Sequence, residues 1–330
     1  MHNERYSILY SSATGNTRLL ADTIRAALPP ELCDAFGAVG ETAAESELLY
    51  VGFWTDKGNA DADTLALLRT LKNKRLFLFG TAGFGVDTAY FDAILARMRE
   101  NGVTGMMNIG CDLPSSERSV ALAERYDWIW AAVGSHPDDA DHVDEARIER
   151  YRALCQSPRV RAIGEIGLDY HYEDIPREIQ KNAFRMQLAL ARELSMPVVV
   201  HEREAHEDGM RIIDEFPEVK GVFHCYSGSL EMAKELVKRG WYIGFTGVIT
   251  FKNARKAVEV AEWLPLSRTL IETDCPYMAP EPYRGRRCDP SMVPQMAKKI
   301  AEIKGLAPEA VAQATFRNAV TLFRLDAAGV

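Results

Sequence analysis

The sequence predicts an α/β protein: a (β/α)8 barrel of the TIM type, preceded by a shorter α/β segment. Three observations predict it. From Gly102 onward, short β-rich runs alternate with helical stretches, the pattern of a parallel sheet. Near the amino terminus, a buried strand runs into a hydroxyl-rich loop and then a helix, the opening of a separate α/β unit. The 330 residues, 47% hydrophobic and 26% charged, suffice for two domains or for one barrel with an appendage.

Composition removes several classes of function. No apolar run approaches the roughly 20 residues that a membrane helix needs. The opening Met1-His-Asn-Glu-Arg-Tyr6 lacks the basic and apolar regions of a secretory signal. The six cysteines (Cys33, Cys111, Cys155, Cys225, Cys275 and Cys288) form no CxxC pair. This spacing argues against a zinc ribbon or a thioredoxin-type site and fits a reducing, cytoplasmic setting. With 39 basic against 47 acidic side chains, the net charge of −8 is a poor footprint for gripping nucleic acid over a broad surface. Any phosphate-bearing substrate is therefore expected to be held locally, and neither a membrane nor an obligate protein partner is implied.

In the first part, Tyr6–Tyr10 reads as a buried strand. Ser11–Thr17 follows as a loop and Arg18–Leu28 as a helix. The hydroxyls of Ser12, Thr14 and Thr17, with the free amides of a helix start, make a cradle for a phosphate, and Gly15 permits the tight turn. A helix capped by Ser and Thr, with no ligand, is the alternative. Glu47–Trp54 and Leu76–Phe79 are two further strands, the latter followed by the loop Gly80-Thr-Ala-Gly-Phe-Gly85. Loops at the carboxyl ends of parallel strands are where open α/β sheets bind ligands. Strand, Ser-x-Thr-Gly-Asn-Thr, helix, Gly-Phe-Trp and Gly-Thr-Ala-Gly-Phe together resemble the flavodoxin family over about residues 4–95. The resemblance implies flavin mononucleotide (FMN), with Ser12, Thr14, Gly15, Asn16 and Thr17 at its phosphate and Trp54 and the Gly80–Gly85 loop near the ring. Trp54 is equally explained as a half-buried structural aromatic. No fifth flavodoxin strand or closing helix is evident, so this segment reads as truncated and FMN binding as weak or absent.

In the second part, strands are read at 104–109, 128–133, 160–166, 197–201, 220–224, 241–245 and 268–272, separated mostly by amphipathic segments such as Ile179–Leu194 and Leu230–Arg239. Of the seven histidines, all but His2 fall after residue 135. Glu165, His201, His224 and Asp274 lie at or near the carboxyl ends of strands, where barrel active sites are built. Each alone could be an ordinary structural residue, but the joint placement of two imidazoles and two carboxylates suits a divalent metal such as Zn²⁺ or Mn²⁺ that activates water.

Gly134-Ser-His-Pro, Gly164-Glu-Ile-Gly-Leu-Asp-Tyr, Pro197-Val-Val-Val-His, His224-Cys-Tyr-Ser-Gly-Ser, Glu272-Thr-Asp-Cys-Pro-Tyr and Pro282-Tyr-Arg-Gly-Arg-Arg occur in the order of the TatD family, which the chain resembles over about residues 92–324. The resemblance implies an amidohydrolase-like barrel and a metal-dependent hydrolase, deoxyribonuclease-like, with one or two ions of Zn²⁺, Mn²⁺ or Mg²⁺. The substrate would be DNA or a small phosphodiester. It also implies Glu165, His201 and His224 as ligands of one metal, with Glu165 bridging, and Asp274 serving the other and activating the water. Substrate phosphate contacts fall to His136, Arg203, Tyr283, Arg284 and the rest of the loop to Arg287. Arg203 and Arg284 read equally as solvated or loop-packing cations. His171 and His206 take no role.

The family's first strand carries His-x-His, and no such pair occurs in this chain. The body therefore reads as a barrel that lacks its first strand, with impaired activity. Seven strands leave an open seam of unpaired backbone groups. Leu76–Gly80 is expected to close it, which sets the domain boundary at 1–75 and 76–330 and puts Phe79 and Thr81 where His-x-His would point. A function of another class, an FMN-binding electron carrier with the barrel as passenger, is the alternative.

Overall fold

In the computed structural model, residues 4–12, 15–43, 46–56, 59–72, 74–81, 88–172 and 174–325 are described. The chain divides into two units, Met1–Ala93 and Ile94–Val330, each with its own parallel sheet. No described helix is long and apolar enough to cross a membrane.

The first unit begins with β1 (Tyr6–Tyr10), α1 (Asn16–Ala27) and β2 (Cys33–Ala38). It continues with β3 (Leu48–Asp56), a short antiparallel β4 (Asn59–Ala60), α2 (Ala62–Thr70) and β5 (Arg75–Thr81). The parallel strands lie in the order β2-β1-β3-β5, which is the flavodoxin order without its fifth strand among the described residues. Tyr6 and Ile8 of β1, Ala21 of α1 and Phe79 of β5 form the buried core. Beyond β5 no described strand pairs, and Leu76, Phe77 and Leu78 are 41%, 53% and 50% exposed.

This placement corrects the expected role of Leu76–Gly80. The segment pairs with β3 in unbroken register from Leu48↔Arg75 to Trp54↔Thr81 and does not close the barrel. Phe79 accordingly lies in the first unit's core and not where His-x-His would point. The division between units falls inside α3 (Thr88–Glu100), not before Leu76. The reason is local. The β3-α2-β5 crossover is short and its loop-closure entropy small, and it yields a ladder along the whole of β5.

The second unit alternates strands and helices after α3: β6 (Met106–Ile109), α4 (Leu113–Arg125), β7 (Ile129–Val133), α5 (Glu145–Leu154), β8 (Val160–Asp169), α6 (Arg177–Glu193), β9 (Val198–Arg203), α7 (His206–Asp214), β10 (Gly221–Phe223), α8 (Leu230–Lys238), β11 (Tyr242–Phe245), α9 (Arg255–Trp263) and β12 (Thr269–Ile271), then α10 (Pro294–Lys304) and α11 (Pro308–Phe323). All seven expected strands are present and run parallel in sequence order from β6 to β12, the two edge strands of a curled sheet. Helix starts carry their own signals. Asp112 accepts the Ser115 amide at 2.7 Å while Ser115 Oγ accepts the Asp112 amide at 3.0 Å, a capping box that begins α4 directly after β6.

Six successive strands each give one residue to a single buried cluster: Ala132, Ala162, Val199, Val222, Tyr242 and Leu270. Met107 and Ile109 of β6 pack against it, and Leu322 and Phe323 at the end of α11 complete it. Asn318 anchors that helix by donating to the carbonyls of Leu266 and Thr269, both at 2.7 Å, where β12 begins. The end of α11 therefore fills the interior on the side away from the strands' carboxyl ends.

Candidate metal centre

Side chains two residues apart on a strand share a face. Counting two on from the interior cluster therefore gives the next layer toward the carboxyl ends. Val199 leads to His201, Val222 to His224, Leu270 to Glu272, and Tyr242 to Gly244. Glu165 is three residues beyond Ala162, and the register between β8 and β9 shifts between Ile163 and Ile166 to accommodate it. Gly167, at φ 143, then passes so close to the His201 carbonyl that any Cβ would clash.

The layer converges on one oxygen. Glu165 Oε1 lies 2.9 Å from His201 Nδ1 and 2.6 Å from His224 Nε2. His136 Nε2 is 3.8 Å from the same oxygen, and its ring stands 4.3 Å from that of His201. Potential ligand atoms of His136, Glu165 and His201 all lie within 4.8 Å of one another. Asp274, just past β12, senses the charges of His224, Glu165, Glu272 and His201.

Electrostatics follow from this crowding. Burial alone would raise the Glu165 carboxyl, but the charges of His224 and His136 and the hydrogen bonds from His201 and His224 reverse that and hold it well below the usual range. Burial disfavours a charged His201, yet its bonds to Asp169 and Glu165 push it up to about 9. His224 is likewise raised well above normal, because Glu165 and Glu272 outweigh its burial. Burial raises the Asp274 carboxyl, opposed in part by His224. His136 goes the other way, lowered by burial against the pull of Glu165. Its Nδ1 accepts the Asp138 amide at 3.1 Å, so in the neutral ring the proton sits on Nε2, facing Glu165.

Without an ion, the centre is thus an anionic carboxylate between two protonated imidazoles. Divalent ions bind this donor set once the protons leave, and the 2.6 and 2.9 Å separations are near the roughly 3 Å between ligand atoms around a small ion. The residues present therefore fit a metal.

The remaining residues singled out in the sequence lie around this centre or outside it. Arg203, on β9, stacks over Tyr172 at 5.3 Å. Arg284 is exposed and stacks over Phe251 at 4.1 Å, next to Tyr283, whose amide donates to the Pro280 carbonyl at 2.7 Å. His171 pairs with Glu204 and His206 with Glu202. Two carboxylates quoted in the motifs but given no role prove to be engaged. Asp169 Oδ2 lies 3.2 Å from His201 Nε2, and Glu272 Oε2 lies 3.7 Å from His224 Nδ1. The two-residue step from Leu270 to Glu272 is the sequence signal that could have found the second.

In the first unit, Gly15 takes the left-handed φ of 87 ahead of α1, as the turn requires, and Asn16 opens the helix. Ser12 Oγ accepts the Arg18 amide at 3.3 Å, and the buried Thr17 directs its hydroxyl to the Phe53 carbonyl at 3.5 Å. The N-cap position of α1 is Gly15, which offers no side-chain cap, so the Ser12 bond reaches into the first turn from outside the helix and the Thr17 bond ties the helix to β3. Trp54 is half-buried on β3. Thr14 and residues 82–85 of the Gly80–Gly85 loop lie outside the described residues.

Comparison with known proteins gives two family matches: TatD related DNase over residues 82–324, and a flavodoxin domain over residues 7–110. The uncharacterized metal-dependent hydrolase YabD of Bacillus subtilis is 42% identical over 237 residues, covering 71% of this chain and 93% of that protein. The 3'-5' ssDNA/RNA exonuclease TatD of Cronobacter sakazakii is 36% identical over 259 residues, covering 74% and 97%. Among solved structures, YJJV, a TatD homologue from Escherichia coli K12, matches with a TM-score of 0.69 at 31% identity, covering 74% of this chain and 95% of that one.

Proposed function

We propose that this chain, which belongs to the TatD-related DNase family and is a metal-dependent hydrolase of that type, hydrolyses phosphodiester bonds of nucleic acid around one divalent ion. Glu165, His201 and His224 would hold the ion. The observation that carries this reading is the convergence of two imidazoles from successive strands on one oxygen of Glu165. The name of the Cronobacter relative, an exonuclease on single-stranded DNA and RNA, supports the substrate class. Small phosphodiesters share the same reacting bond.

A bound Zn²⁺ or Mn²⁺ supplies Lewis acidity and a nucleophilic water at neutral pH, with Mg²⁺ the weaker match to imidazole ligands. The chain supplies the rest. His201 and His224 would hold the ion as neutral rings, their protons released to solvent. Asp274, whose carboxyl burial raises, accepts a proton from the attacking water. His136 donates from Nε2 to a substrate phosphate oxygen, its tautomer set by the Asp138 amide. Arg203, Tyr283 and Arg284 hold phosphate at the mouth, the local grip that a chain of net charge −8 requires. Because no His-x-His pair exists to hold a second ion, turnover would be slow, since the Lewis acidity for the leaving oxygen would be missing.

The test compares metal content and cleavage of a fluorescein-labelled single-stranded oligonucleotide by the Mn²⁺-reconstituted wild type and His201→Ala. The variant should lose the ion and at least about 100-fold of the activity. Undiminished cleavage and metal content in His201→Ala would overturn the assignment. Two ions per chain with fast hydrolysis would overturn the one-ion reading.

A further inference from the structure

We propose that Glu272 is a positioning residue for His224: its carboxylate keeps the ring proton on Nδ1, so that Nε2 is the nitrogen free to ligate. The inference rests on the metal-hydrolase reading above. Four features place the carboxylate. Glu272 lies two residues beyond the interior Leu270 and so shares the face that carries the centre. Its Oε1 accepts the Cys225 amide at 2.6 Å, and Cys225 adopts φ 44, a left-handed conformation uncommon outside glycine. Its Oε2 is 3.7 Å from His224 Nδ1, while His224 Nε2 is 2.6 Å from Glu165. On the intervening strand, Gly244 leaves room, since any Cβ there would strike Glu272 Oε1. Segments from three neighbouring strands are thus shaped around one carboxylate that is not itself among the proposed ligands.

A neutral imidazole carries one proton, and an acceptor at one nitrogen holds it there. Ligating histidines commonly have such an outer carboxylate, whose loss typically costs 10- to 100-fold in metal affinity. Glu272→Gln separates this role from packing. The Cys225 N–H needs an acceptor, so the new amide must keep its oxygen there and present its NH₂ to His224 Nδ1. That donor forces the ring proton onto Nε2, the wrong tautomer for a ligand. Gly244→Ala displaces the carboxylate without altering any ionisable group.

The experiment titrates Mn²⁺ into the metal-stripped full chain, following the electron paramagnetic resonance signal of the free ion. Both variants should bind about 10- to 100-fold more weakly than wild type. In the Zn²⁺-loaded protein, ¹⁵N spectra should place the His224 proton on Nδ1 in wild type, and Glu272→Gln should lose that signature. Wild-type affinity in Glu272→Gln, or an unchanged tautomer, overturns this inference and leaves the proposed function standing. A wild-type chain that binds no Mn²⁺ overturns both.

Discussion

Among the described residues, each of the two sheets lacks one strand of the fold it resembles, and the consequences differ. The first unit keeps the strand order β2-β1-β3-β5, and among the described residues its sheet ends at β5, where Leu76, Phe77 and Leu78 are exposed. A flavin ring needs apolar walls from several loops, so a sheet ending at β5 is expected to offer one wall fewer. The second unit lacks the strand that would carry His-x-His, yet Glu165, His201 and His224 still meet. Their strands are interior to the sheet, each held by a neighbour on both sides. A site spread over central strands does not rely on an edge strand, whereas one built at the edge does.

The sharpest way to break the comparison is to damage one unit and measure the other. Phe79→Ala should cost about 3–5 kcal/mol in the first unit's core, lowering hydrogen-exchange protection of the Ile8 and Leu9 amides. Mn²⁺ affinity should not change, and a fall in affinity would show that the centre depends on the first unit.

The second test is pH. His201, raised to about 9, holds its proton through neutral pH in the metal-free chain. Metal must displace that proton, so Mn²⁺ affinity should weaken about tenfold for each pH unit below 9, per displaced proton. The sign for stability is opposite. A raised folded-state value stabilises the metal-free fold fully below the unfolded histidine range, and this is lost as pH rises through about 9. Melting of the metal-free chain should therefore drop between pH 7 and 9 while metal binding tightens. Affinity independent of pH would mean that these imidazoles are not the ligands.

Smaller effects are expected in the first unit. Leu78→Lys, on an edge residue 50% exposed, should change stability by no more than about 0.5 kcal/mol while reducing self-association, read by sedimentation. FMN titration should give no sub-micromolar quenching of flavin fluorescence, since Ser12 and Thr17 are engaged within the fold. Tight quenching would restore the flavin reading.

Much of this was legible in the sequence. The seven strands of the second unit stood out as short β-rich runs between amphipathic segments, and the ligand candidates as polar residues ending those runs. β2 was not: Cys33-Asp-Ala-Phe-Gly-Ala38 has no apolar alternation, and all but one of its residues are only partly buried. The destination of β5 was misread because Leu76–Gly80 suits either sheet by composition, and the short crossover from β3 decides between them. His136 was assigned to phosphate without its backbone partner, Asp138, which fixes where its proton sits. Asp169 and Glu272 escaped because each acts on an imidazole from another strand, a relation set by sheet register.

The packing of Leu322 and Phe323 into the barrel's interior has a consequence for the order of events during synthesis. Among the described residues, the buried core cluster of the first unit ends at Phe79 and can mature while most of the chain is unmade. The second unit is stoppered by its last helix, so the ribosome must deliver residue 323 before the interior is sealed. Nascent chains halted before Ala319 should stay open to protease throughout this unit, with the first already resistant. Translation thus works here like bottling: the vessel is shaped strand by strand, and the cork follows.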